Sequence, residues 1–165
     1  MNRLGAGALS GAVGTLALNA ATYADIAVRG RAPSTVPADT AESSARAMGI
    51  DLSGDGDDQA AANRRTGIGA LLGYGTGLTI GALYGAIQPA VPRLRLPVAG
   101  LVLGATAMLG ANAGAVAAGT TDPRRWGLEG WLADIVPHVC FGLATVGAFD
   151  LLGGLRPAGR GQGPR

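Results

Sequence analysis

The stretch Thr66–Ile87, TGIGALLGYGTGLTIGALYGAI, places Gly69, Gly73, Gly77, Gly81 and Gly85 four residues apart. In water an interior glycine costs a helix about 1 kcal/mol relative to alanine. Five on one helical stripe need a compensating reason. In hydrocarbon, apolar side chains gain nothing by leaving their surroundings. Helices there associate through close van der Waals contact, which small residues permit. The backbone hydrogen bonds stay within the helix because lipid offers no other partner. The stripe therefore predicts a helix packed backbone to backbone against a neighbour. Gly7 with Gly11, Gly100 with Gly104, and Gly110 with Gly114 repeat the spacing elsewhere. A phosphate-cradling loop at Gly73–Gly77 would need a strand before it and a helix N-terminus after it. A continuous apolar helix provides neither.

Outward from this stretch, the composition agrees. The 165 residues are enough for one domain, with 48% hydrophobic and 15% charged residues. Average proteins carry about 25% charged residues. Mean hydropathy is positive, +0.29. The 29 glycines lack the three-residue period of collagen, and long apolar runs separate the polar stretches, which argues against disorder. All 13 basic residues are arginine and the net charge is +2, with no basic stripe interleaved with aromatics. Nucleic acid is not an expected partner. The one cysteine, Cys140, excludes an internal disulfide and sits in an apolar run, where a buried inert thiol is expected.

Four apolar segments stand out, at about 4–28, 67–90, 96–118 and 132–153. Each is close to the roughly 20 residues that cross about 30 Å of hydrocarbon as a helix. A soluble bundle would show a polar outer face at period 3.6; these segments do not. The expected fold is all-α: an integral membrane four-helix bundle with glycine-rich interfaces and a tight interior. It forms a single membrane domain over 1–153, with a basic, disordered tail at 154–165. The apolar run after Arg3 continues through Val28, too long for a signal peptide, so the first segment is read as a span. The polar connection 29–66 contains STVPADTAESSARAMGI, read as a short surface helix from Pro37 to about Met48. Asp122 before Pro123 reads as an N-cap, opening a second short helix that carries Trp126 and Trp131 at the membrane interface.

Polar residues inside spans are costly and face protein or water. Asp25 stands four before Arg29, the spacing of a helical ion pair. Asn112 reads as an interhelical hydrogen-bonding residue. Asp134 and His138 lie four apart on one helical face, with Pro137 between them. A proton relay would use such a pair, and so would a structural hydrogen bond across the bundle. A zinc site generally takes at least three protein ligands, so no metal and no cofactor are expected. Asp51, Ser53, Asp55, Gly56 and Asp57 open like a calcium loop, but Ala62 stands where the bidentate glutamate belongs. A solvated acidic turn is expected instead. One histidine, no lysine and few acids leave little for a catalytic triad or carboxylate pair, so an enzyme is not expected.

The segments NRRTGIGALLGYGTGL (Asn63–Leu78), TDPRRWGLEGWLADIVPHVCFGLAT (Thr121–Thr145) and AVRGRAPSTVP (Ala27–Pro37) resemble small four-span membrane proteins of high-GC bacteria that have no assigned activity. A more distant similarity is to YagU-like inner-membrane proteins. The resemblance implies a multi-pass protein of the bacterial inner membrane and carries no catalytic residue with it. The leading functional expectation is a structural or interaction role. Its partners would be the bilayer and either a second copy or another membrane protein on the glycine-rich faces. The alternative is a small transporter or channel moving protons or a small solute past Asp25, Asp134 and His138. Arginine counts on the two sides are nearly equal. Arg46 is distant from either span, which tilts the termini toward the cytoplasm.

Overall fold

The computed structural model describes residues 1–54, 57–92 and 94–154. Among them the secondary structure is entirely helical. Helix α1 runs Arg3–Arg29, α2 Val36–Ala47, α3 Asp58–Ile87, α4 Leu96–Ala117 and α5 Leu128–Gly154. Four of these are long and apolar enough to cross a membrane: α1, α3 with its C-terminal extension to Ala90, α4 and α5. The tail read from the sequence lies outside the described residues apart from Gly154, as do Asp55 and Gly56 of the acidic turn.

Local chemistry sets the ends of these helices. Asn2 caps α1 by accepting from the Gly5 N–H at 2.8 Å. Gly30 closes it in the left-handed region, φ 64°, with its N–H returned to the Ile26 carbonyl. Helix α3 starts nine residues before the apolar run that marked its span. Asp57 caps it, accepting from the N–H groups of Gln59 and Ala60. The following AAANRR segment is polar yet strongly helix-forming, so the helix extends beyond the span. Pro97 lies in the first turn of α4, where its missing donor is harmless. Pro137 stands inside α5, which continues through it.

The second short helix expected from the sequence is a single 3-10 turn, Pro123–Arg125. Asp122 does cap it, accepting from the Arg124 N–H at 3.1 Å. Trp126 then turns extended and Trp131 falls in α5 itself, so the two indoles belong to different elements. They meet edge to face with ring centroids 5.2 Å apart.

Neighbouring long helices run antiparallel, and they pack in the order α3, α1, α5, α4. Helices α3 and α4, at the two ends of this row, barely touch, so the four helices form an open layer and not a closed square. The short α2 lies across α3 at one end and reaches α4. Thr40 and Thr120 share a hydroxyl–hydroxyl bond of 2.8 Å, and Ser43 donates to the Ala118 carbonyl at 3.1 Å.

The interior is built mainly from small residues, with Phe141, Val146 and Phe149 the larger side chains buried in it. Between α1 and α3, a Cβ added at Gly81 would lie 2.6 Å from both the Cα and the nitrogen of Gly11, and closer still to the Gly7 carbonyl. One added at Gly85 would collide with the Arg3 carbonyl. Between α4 and α5, a Cβ added at Gly142 would lie 2.6 Å from the Gly104 nitrogen and run into the Gly100 carbonyl. Between α1 and α5, Ser10, Phe141, Thr145, Val146 and Phe149 are buried. The Thr145 hydroxyl, without a hydrogen-bond partner, lies against Gly14. Large apolar side chains point outward instead, with Leu16 66%, Leu71 70%, Leu109 64% and Leu151 75% exposed. A soluble protein reverses this distribution.

The five-glycine stripe divides among three environments. Gly77, Gly81 and Gly85 face α1, Gly69 faces the Pro37 carbonyl of α2, and a Cβ at Gly73 would meet nothing within 4 Å. Gly73 sits where α3 leaves α1 and has not yet reached α2, so it has no close neighbour. Gly110 and Gly114 are open in the same way.

An ion-pair network ties α2 to α3. Glu42 accepts from Arg65 at 2.8 Å and from Arg46 at 2.9 Å. The Arg65 guanidinium holds the Glu42 carboxyl below its usual value. A depressed folded-state value means that the contribution is present above the unfolded glutamate value of about 4.3. It is lost as pH falls through the lower folded value. The protection of the α2 amides, exchange taken relative to the intrinsic rate at each pH, is therefore expected to fall on acidification below about pH 4. In Glu42→Gln this protection should be low already at pH 7 with little further acid response. An unchanged acid profile in that variant would show that another group is responsible.

Candidate functional site

The polar residues singled out from the sequence form two separate groups. Asp134 and His138 lie on the face of α5 that meets α4. The histidine Nδ1 is 2.8 Å from the Asp134 carbonyl and 3.2 Å from its Oδ1. Asn112 of α4 donates to Asp134 Oδ2 at 2.7 Å. The carboxylate thus receives a hydrogen bond from the neighbouring helix and lies beside the histidine of its own helix, whose Nδ1 bonds the Asp134 backbone carbonyl. The side chains of His138 and Asp134 are 15% and 21% exposed. Helix α4 carries no charged residue at all, and the charged positions of α1 lie near its ends. The donors around Asp134 replace the water that a carboxylate would otherwise need. With Nδ1 engaged by Asp134, Nε2 is the ring nitrogen available to a second group.

Asp25 belongs to the other group. Its Oδ1 accepts from Arg29 Nε at 2.6 Å, and its Oδ2 from Arg29 Nη2 at 2.7 Å and Arg31 Nε at 2.5 Å. The Arg29 pair follows from the four-residue spacing. The Arg31 bond was not legible in the sequence. It requires the left-handed turn at Gly30, which brings the chain back onto the last turn of α1. Asp25 borders a cavity of about 230 Å³ with Arg29, Leu132, Val136 and Pro137, between α1 and α5. Neither Asp134 nor His138 lines it. The three candidate residues do not converge on one cavity. A second hollow, of about 360 Å³, is lined by α3 residues alone, Leu71 to Ile80.

Other polar side chains bridge or fill the helices. Asn19 of α1 donates to the Tyr74 hydroxyl of α3 at 3.3 Å. Ser10 and Thr15 return their hydroxyls to the carbonyls four residues back, at 2.7 and 2.9 Å, which lets them sit buried without a cross-helix partner. The acidic turn holds itself together: Asp51 accepts from the Ser53 backbone N–H at 2.9 Å and from its hydroxyl. Among the described residues no three histidine, cysteine or acidic side chains gather as a metal site would require.

No protein-family model, curated protein or solved structure matches this chain.

Proposed function

We propose that this chain is a multi-pass protein of a bacterial inner membrane, of the kind its resemblance implies, with a structural or interaction role and no catalytic activity. The observation that carries this reading is the backbone-on-backbone packing. Where Gly81 lies on Gly11, and Gly142 on Gly104, no side chain fits between the helices. Such glycine-lined faces are how helices associate where hydrophobic exclusion is absent. The outward Leu and Val side chains then contact lipid. Gly110 and Gly114, on one face of α4 with nothing against them, offer the same surface to a second copy or another membrane protein.

The second reading, movement of protons or a small solute, draws on the Asn112–Asp134–His138 cluster. Asp25 standing apart from it counts against a shared path. Purified protein in sealed vesicles separates the two. The structural reading expects no proton flux above that of empty vesicles. A flux that His138→Ala abolishes in a folded protein would replace it with the transport reading.

Topology is tested in intact cells. Both termini are proposed to be cytoplasmic and the connection from Arg29 to Arg65 external. In a Cys140→Ala background, Ser53→Cys is expected to react with a membrane-impermeant thiol reagent in intact cells. Reaction only after lysis would reverse the orientation.

A further inference from the structure

The cavity between the last turn of α1 and the first turns of α5 has two chemically different ends. Its α5 wall is Leu132, Val136 and Pro137, with Leu132 and Val136 one turn apart and each about half exposed. The other end is Asp25 and Arg29. Three arginine N–H donors already occupy both oxygens of Asp25. Arg31 spends Nη1 on the Ala32 carbonyl at 3.1 Å. What remains is donor capacity: Arg29 Nη1 has as its nearest anion Glu129 at 3.9 Å, beyond hydrogen-bonding distance and on a side chain 91% exposed. The rim therefore offers Arg29 donors to an acceptor; of its carboxylates Asp25 is fully engaged by arginine, and Glu129 extends into the surroundings on an exposed side chain. Trp131, beside Leu132, and its edge-to-face partner Trp126 mark this level as the one where interfacial indoles collect. An anionic acceptor at the rim with an acyl chain along the apolar wall is the shape of a membrane lipid.

We propose that this groove binds a glycerophospholipid of the bilayer, its phosphodiester on Arg29 and its acyl chain along Leu132, Val136 and Pro137. The inference rests on the membrane reading above. It is tested on the full chain, stripped of lipid in detergent, by native mass spectrometry with phosphatidylglycerol, with diacylglycerol of the same acyl chains, and with inorganic phosphate. Phosphatidylglycerol is expected to be retained about tenfold more than diacylglycerol, the scale of one charged hydrogen bond. Inorganic phosphate should not compete at equal concentration, because it lacks the acyl chain. Arg29→Gln should abolish the preference by removing the donor, and Leu132→Trp should abolish it by filling the groove with the charges intact. If Arg29→Gln does not fold, Leu132→Trp decides by the same readout. Equal retention of diacylglycerol, a preference that survives Leu132→Trp, or displacement of the lipid by inorganic phosphate would overturn the assignment. Failure of the membrane reading looks different: alkaline carbonate would then release the protein from membranes, whereas failure of the groove alone leaves it embedded with no phospholipid preference.

Discussion

Gly81→Leu is expected to separate α1 from α3 and to lower the stability of the protein by about 3 kcal/mol, the upper end of the overpacking range. The new Cβ would lie 2.6 Å from the Gly11 backbone and nearer still to the Gly7 carbonyl. Main chain cannot rotate aside as a side chain can. Relief therefore requires the two helices to move apart along the whole face that Gly7, Gly11, Gly77, Gly81 and Gly85 share. Gly77→Leu should be milder, because the nearest atom to its added Cβ is the Thr15 hydroxyl, which a rotamer change can remove. Gly73→Leu supplies the opposite sign. With nothing within 4 Å, it gains only helix propensity, up to about 1 kcal/mol. Thermal unfolding in detergent, followed by the fluorescence of Trp126 and Trp131, orders the three variants. Equal midpoints for Gly81→Leu and Gly73→Leu would refute this packing.

Gly142→Ala is expected to loosen α4 from α5 with a single methyl group. That methyl would lie 2.6 Å from the Gly104 nitrogen and 2.9 Å from its Cα. Helix α4 has little else to hold it, since it meets α3 marginally and α2 only near its C-terminal end. Overpacking of this kind typically costs about 1–3 kcal/mol. The consequence reaches the polar cluster, because the 2.7 Å bond from Asn112 to Asp134 spans the same two helices. In the native background Asn112→Ala should cost about 0.6 kcal/mol and no more than about 1.7, the range for hydrogen bonds between membrane helices. In the Gly142→Ala background it should cost close to nothing, since the bond is already broken. Fully additive effects would show that α4 stays docked and that the methyl is accommodated elsewhere.

Much of this architecture was legible in the residues themselves. Four apolar segments of spanning length, the short helix after Pro37 and the cap at Asp122 follow from composition and local hydrogen-bonding chemistry, which act over a few residues. The start of α3 is not given by the apolar run, whose edge Arg64 and Arg65 mark, because the helix begins at the Asp57 cap about eight residues earlier. The ion pair of Asp25 with Arg29 was legible from its spacing. That of Asp25 with Arg31 was not, because it depends on the turn at Gly30.

Sequence alone determined that this chain makes long apolar helices with glycine faces, because hydropathy and helical period are properties of each segment taken singly. Only the tertiary structure decided which faces meet. The stripe from Gly69 to Gly85 is uniform in sequence, yet it faces α2 at one end, α1 at the other and nothing at Gly73. Asp25, Asp134 and His138 are alike as rare polar groups in apolar segments, yet they divide between the α1–α5 and α4–α5 sides. The physical reason is that glycine contacts are short-ranged and nearly interchangeable. Which pair forms depends on the crossing and order of whole helices, a property that no single helix contains.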